Sequence, residues 1–221
     1  MPSGLESRLE MIVKALETGR VESAVEDLES LVKEYPECVE GWYNLGYAYS
    51  LLDRLDESLR AYNEALAIDN MIFEIWFNKG NVLYDMRDFK GALDCYLRAV
   101  EIRPDDAEAW NNLGNCYSRL ADGKEAIKAY SRAVALKPDY AEALYNNANA
   151  HFIEGDHERA VAYAELALSL NPTLKPRVDE WIHLSRAQLE SKRWEDSPDS
   201  RKESGPRRYK GIRDLTQADR T

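Results

Sequence analysis

Trp42, Trp76 and Trp110 stand 34 residues apart. The same step separates Gly46, Gly80 and Gly114, then Tyr62, Tyr96 and Tyr130, then Ala65, Ala99, Ala133 and Ala167. Pro104, Pro138 and Pro172 keep it too, with Pro36 two steps before Pro104. Several residue types locked to one period restrict the chain to an array of like units, each stacked on its neighbours. That is a narrower outcome than the one or two compact domains that 221 residues would otherwise suggest.

Within a unit the pattern is helical. Trp110, Leu113, Gly114 and Tyr117 follow the i, i+3, i+4, i+7 spacing of one helix face. Ala126, Tyr130 and Ala133 form the face of a second helix. Gly114 and Ala126 are small, which lets the two helices approach; glycine costs a helix about 1 kcal/mol against alanine, so it needs such a reason. Asp122-Gly123 breaks the chain between the helices, as Gly155-Asp156 does one unit later. Pro138 stops the second helix, having no N–H to donate and a ring that clashes with the preceding turn. The expectation is an all-α chain of antiparallel helix pairs, each covering the apolar face of the next.

Residues 107–140 contain Trp110-x-x-Leu113-Gly114-x-x-Tyr117, then Ala126-x-x-x-Tyr130, Ala133 and Pro138. This resembles the tetratricopeptide-repeat (TPR) pattern, with Tyr in place of the usual Phe. The resemblance implies a right-handed superhelix, an alpha solenoid of five repeats: 5–38, 39–72, 73–106, 107–140 and 141–174. Repeat 39–72 departs from the pattern with Asn70 for proline and Ser58 at the small position. Repeat 141–174 has Leu144, Asn147, Ala148 and His151 for Trp, Leu, Gly and Tyr, and repeat 5–38 has Arg8 at the Trp position. A capping helix is expected over about 175–193, with Pro176 in its first turn and Val178, Trp181, Ile182 and Leu189 packed on the last repeat. Residues 195–221 turn to Ser, Pro, Gly, Arg and Asp with little to bury, and are expected to be disordered.

Charge and composition remove other functions. The tail holds seven Lys or Arg and six Asp or Glu, so of the net charge of −11 the first 194 residues carry −12. Such a body does not suit nucleic acid or an anionic membrane, both of which need clustered Lys and Arg. The tail's Arg207-Arg208-Tyr209-Lys210-Gly211-Ile212-Arg213 is a short basic motif, read as a solubilising end. No run of about 18 apolar residues spans a bilayer, and no basic-then-apolar leader opens the chain. Cys38, Cys95 and Cys116 are too few and scattered for a disulfide framework or a CxxC site, and suit a reducing compartment. A cytoplasmic location is expected. His151, His157 and His183 fall in no metal-ligand spacing, and phosphate-loop and nucleophile-elbow motifs are absent. The expectation is no enzyme, no cofactor and no metal.

What remains is binding. In the family the resemblance implies, the first helices of successive repeats line a concave groove through frame positions 2, 5, 6, 9, 12 and 13. Position 6 carries Asn44, Asn78, Asn112 and Asn146; position 9 carries Tyr47, Asn81, Asn115 and Asn149. Tyr43, Phe77 and Tyr145 stand at position 5, Tyr84 and Phe152 at position 12, and Arg119 at position 13 as the only base of the groove. An amide offers a donor and an acceptor, so a ladder of asparagines suits the backbone of an extended peptide, with the rings giving apolar area. The arrangement is similar to the asparagine ladder in the TPR region of O-linked N-acetylglucosamine transferase. Glu40, Glu74, Glu108 and Glu142 at position 2 disfavour an acidic C-terminal tail as the ligand. The leading expectation is an adaptor holding a protein or peptide segment in the groove. The alternatives are an assembly module, with weak self-association through the convex face or the stripe Leu5, Leu9, Ile12 and Leu16 with Val13 beside it, or a regulatory subunit of an enzyme on another chain. Ser3-x-x-Glu6 marks the start of that first helix.

Overall fold

In the structure, a computed structural model that describes residues 3–196, every regular element is helical. The pairs are α1 (Ser3–Glu17) with α2 (Val21–Glu34), α3 (Val39–Leu51) with α4 (Leu55–Ile68), and α5 (Phe73–Asp85) with α6 (Phe89–Ile102). They continue as α7 (Ala107–Arg119) with α8 (Gly123–Leu136) and α9 (Ala141–Ile153) with α10 (His157–Leu170). Each helix packs on the next, so the chain is an all-α solenoid of stacked hairpins. The cap read as one helix over about 175–193 is a turn of 3-10 helix, Pro172–Leu174, then α11 (Lys175–Asp179) and α12 (Ile182–Asp196), which lies against α10. Glu195 and Asp196, expected to open a disordered tail, instead end α12; the rest of that tail, with the basic stretch 207–213, and the side chain of Ser3 lie outside the described residues.

Each marked position has a packing cause. Gly46, Gly80 and Gly114 meet the rings of Tyr62, Tyr96 and Tyr130: a Cβ on them would stand 2.7, 2.9 and 2.6 Å from ring carbons. The last repeat loses both partners together, with Ala148 and Ala164 fully buried in their places. Ser58, at the small position of its repeat, is fully buried and donates its hydroxyl to the Gly46 carbonyl at 2.7 Å. The indoles of Trp42, Trp76 and Trp110 donate to the carbonyls of Pro36, Asn70 and Pro104 at 2.8, 2.8 and 3.0 Å. A side chain thus ties each of the first three inter-repeat turns to the helix that follows it. Complete burial of aliphatic residues such as Leu28 and Leu31 contributes roughly 1.5–3 kcal/mol each.

Gly155-Asp156 breaks the fifth hairpin as expected, while the turn of the fourth differs in detail. The left-handed residue in repeat four is Ala121, at φ 61°, rather than Gly123, which opens α8. Gly19, Asp53, Arg87 and Gly155 take the same conformation at the same step of 34 residues. Asp88, Asp122 and Asp156 then cap the second helices, accepting from the backbone N–H of Gly91, Glu125 and Arg159 at 3.0, 3.3 and 3.2 Å.

The first helix turns most of its stripe inward. Leu5, Ile12 and Ala15 are buried, and Leu9 and Leu16 pack half-buried against the same core, leaving Val13 exposed. At the other end the half-buried ring of Phe152 stacks on the buried indole of Trp181, centroids 5.0 Å apart, which seals repeat five. No described helix is long and apolar enough to cross a membrane.

Candidate functional site: an amide ladder on the concave face

The first helices of the hairpins touch one another along the array, α1 with α3, α3 with α5 and α7 with α9, whereas α2, α4, α6 and α8 have no comparable mutual contact. The closer row is the inner one, so the odd-numbered helices line the concave face.

Along that face the asparagines bond to one another and to the tyrosines beneath. The amide of Asn78 donates to the Tyr43 hydroxyl at 3.0 Å. Tyr96 donates to Oδ1 of Asn81 at 2.6 Å, and Asn112 donates to the same oxygen at 3.4 Å. One repeat later Tyr130 donates to Oδ1 of Asn115 at 2.9 Å, and Asn146 donates to that oxygen at 3.2 Å and to Oδ1 of Asn111 at 3.0 Å. Asn111, buried at position 5, closes the chain by donating to Asn112 at 3.4 Å. Burial raises the pKa of the Tyr96 and Tyr130 phenols well above the ordinary range, so both remain protonated donors.

This network fixes which way the position-9 amides point. Their oxygens are held from below and from the side, and the Nδ2 groups of Asn81 and Asn115 have no partner among the described residues. Asn149 has no hydrogen bond among them at all. The position-6 amides of Asn78, Asn112 and Asn146 are spent within the ladder, and that of Asn44 donates to the Glu40 carbonyl of its own helix at 2.8 Å. In repeat two, Tyr47 stands where the later repeats have the asparagine, and the fully buried Tyr62 hydroxyl below it has no acceptor.

Two adjoining hollows lie over this network. One, of about 320 Å³, is bounded by Asn81, Tyr84, Asp85, Tyr96, Asn112 and Asn115. The next, of about 190 Å³, shares Tyr84 and Asn115 and adds Arg119, Tyr145, Asn149 and Arg177 among its walls. Phe77 is half-buried instead, stacked on Phe73 at 5.4 Å with the Tyr96 ring at its edge. Tyr43, Asn44 and Tyr47 border a smaller hollow beside Val13 at the other end.

Arg119 is not the only base of the groove. Arg177 comes from α11, beyond the repeat frame, bonds Glu142 at 2.9 Å and lies over the Tyr145 ring at 3.9 Å. No positional rule written on the 34-residue frame could have found it. Arg103 treats Glu74 and Phe73 similarly, pairing with the carboxylate and covering the ring at 3.9 Å. On the other side of the array a more apolar hollow of about 580 Å³, walled by Val32, Trp42, Leu45, Tyr49 and Ala61, also went unread in the sequence. The histidines are tied into packing: His151 stacks on Tyr163, His157 meets the Ser185 hydroxyl at 3.2 Å, and His183 meets the Asp179 carbonyl at 3.0 Å. Cys38, Cys95 and Cys116 are free and buried.

Models of the tetratricopeptide repeat match residues 9–70, 107–140 and 141–174, and a further TPR repeat model matches 80–120. No curated protein matches the chain. Among solved structures, MamA (41-end) from Desulfovibrio magneticus RS-1 is 22% identical with a TM-score of 0.72, over 78% of this chain and 98% of that one. A second crystal structure of MamA is 21% identical with a TM-score of 0.71, over 80% of this chain and 96% of that one. YrrB, described as a TPR protein with an unusual peptide-binding site, is 21% identical with a TM-score of 0.68, over 75% of this chain and 85% of that one. These likenesses are of fold. With repeat models covering most of the described residues and the hairpin stack present throughout, the chain belongs to the tetratricopeptide-repeat family.

Proposed function

We propose that this protein is an interaction module without chemistry of its own, which holds an extended segment of a partner protein along its concave face. Tetratricopeptide repeats serve as protein-binding modules, and that much follows from the family. The observation that carries the groove reading is the orientation of Asn81 and Asn115. Their oxygens are occupied by Tyr96, Tyr130 and the neighbouring amides, while their N–H groups are unclaimed. With Asn149 they form a row of donors one repeat apart, suited to donate to the backbone carbonyls of a bound chain. A row that is already rigid loses little entropy on binding.

The test uses an isosteric change that leaves the ladder's acceptors in place. Asn81→Asp, Asn115→Asp and Asn149→Asp together keep an oxygen for Tyr96 and Tyr130 and replace each outward donor with an acceptor. Each lost hydrogen bond is worth about 1 kcal/mol, and each new carboxylate faces a carbonyl. Affinity capture from a lysate of the source organism should therefore lose the partner when this variant replaces the native chain, at unchanged helicity and melting temperature. Equal capture by the two proteins would place binding elsewhere, and the α2–α4 hollow would be examined next.

A further inference from the structure

We propose that the hollow between Arg119 and Arg177 seats the carboxylate of an Asp or Glu side chain within the partner segment. This rests on the groove reading above and adds to it the chemistry of one ligand position. Arg119 makes no ion pair among the described residues, and its guanidinium stands 5.2 Å from the centre of the Phe89 ring. Arg177 is compensated by Glu142 and held flat over Tyr145, so it lends its remaining N–H groups without adding net charge. The walls therefore hold one unbalanced positive charge, which matches a monoanion and not a phosphate dianion.

The neutral donors agree with this. Asn115 and Asn149 both line the hollow, and both have an unclaimed Nδ2. They belong to successive repeats, so they flank the seat on either side along the groove. A backbone bonded at both flanks places the carboxylate in the middle of a segment, on a side chain, rather than at a chain terminus. An ionised acceptor gains roughly twice what a neutral one does from such donors, and the guanidinium planes present paired N–H groups to it. The far end of the concave face has the opposite character: Glu10, Glu17 and Glu40 with Lys14 border the hollow beside α1. In a chain whose body is acidic, the Arg119 end is where an acidic side chain is drawn, and this polarity sets the direction in which the segment lies.

The experiment is a titration of the ¹⁵N-labelled full chain, following the side-chain amides of Asn81, Asn115 and Asn149 and the Nε–H of Arg119. The probes are three alanine-glycine peptides: one acetylated and amidated with a central Glu, its Gln counterpart, and an all-neutral peptide ending in a free carboxylate. The expected result is that the Glu peptide moves Arg119 and Asn149 and binds about fivefold or more tightly than the Gln peptide, a gap that Arg119→Gln closes. Arg119 is exposed, so that variant keeps the fold. Equal binding of the Glu and Gln peptides, with Asn81 and Asn115 still shifting, overturns the carboxylate seat and leaves the groove reading intact. Tighter binding of the free-carboxylate peptide overturns the side-chain assignment. If none of the three moves Asn81 or Asn115, the groove reading itself fails, and the seat with it.

Discussion

Gly114 lies against the ring of Tyr130 so closely that a Cβ on Gly114 would stand 2.6 Å from the ring carbons. One residue is the smallest because the other is large, and the last repeat shows the alternative solution, Ala148 with Ala164. The pair should therefore behave as a unit. Gly114→Ala alone should destabilise by about 1–3 kcal/mol through overpacking, and Tyr130→Ala alone by about 3–5 kcal/mol through the void it leaves. The double variant should cost less than the sum, as read by denaturant unfolding in a double-mutant cycle. Simple additivity would mean the contact is not what makes position 114 a glycine.

The tyrosines of the second helices should separate by their hydroxyls. Tyr96→Phe and Tyr130→Phe each remove a donor to a ladder asparagine and should cost about 1 kcal/mol. Tyr62→Phe removes a buried hydroxyl that has no partner, and should be neutral or slightly stabilising. Thermal melts of the three variants under one buffer decide it; equal losses at all three positions would contradict the ladder geometry.

Ala121 occupies a left-handed conformation, at φ 61°, that Gly19 and Gly155 occupy at the equivalent steps. A Cβ there crowds the carbonyl oxygen, at about 1–2 kcal/mol. Ala121→Gly relieves that strain but enlarges the freedom of the unfolded chain, so a net gain of about 0.5–1 kcal/mol is expected. A lower denaturation midpoint for the variant would show that the turn is not strained.

His151 stands where Tyr49 and Tyr117 stand in other repeats, is 5% exposed, and stacks on Tyr163. Burial lowers its pKa from 6.5; Asp156, 3.5 Å away, opposes that shift and Arg159 adds to it. The folded chain thus resists a proton that the unfolded chain accepts. Stability is unaffected by this residue above pH 6.5, falls as the pH drops through 6.5, and stops falling once the pH passes below the lowered folded value. Melting temperatures from pH 8 to pH 5 should decline less in His151→Tyr than in the native protein. Parallel declines would assign the acid sensitivity to other groups.

The period of 34 residues sufficed to read the hairpins, the small positions and the faces of the helices, because each of these rests on contacts within a repeat or with the next. Gly114 against Tyr130 and Trp110 over the Pro104 carbonyl recur wherever the residues recur, so their spacing in sequence carries their spacing in space. Which positions face the groove came from the family resemblance, and the period only carried those positions from repeat to repeat. What those residues do there could not be read. Asn78 and Asn81 look alike in sequence, yet one amide is spent on Tyr43 and the other faces outward, since hydrogen bonds between residues 31 and 35 positions apart decide the direction of each. Arg177 follows no period, and only the fold of α11 back over repeat five brings it to Glu142 and Tyr145 beside Arg119. A repeating pattern encodes nearest-neighbour packing. The polar surface depends on how neighbouring repeats bond across their junctions, and on the non-repeating end, which only the assembled stack determines.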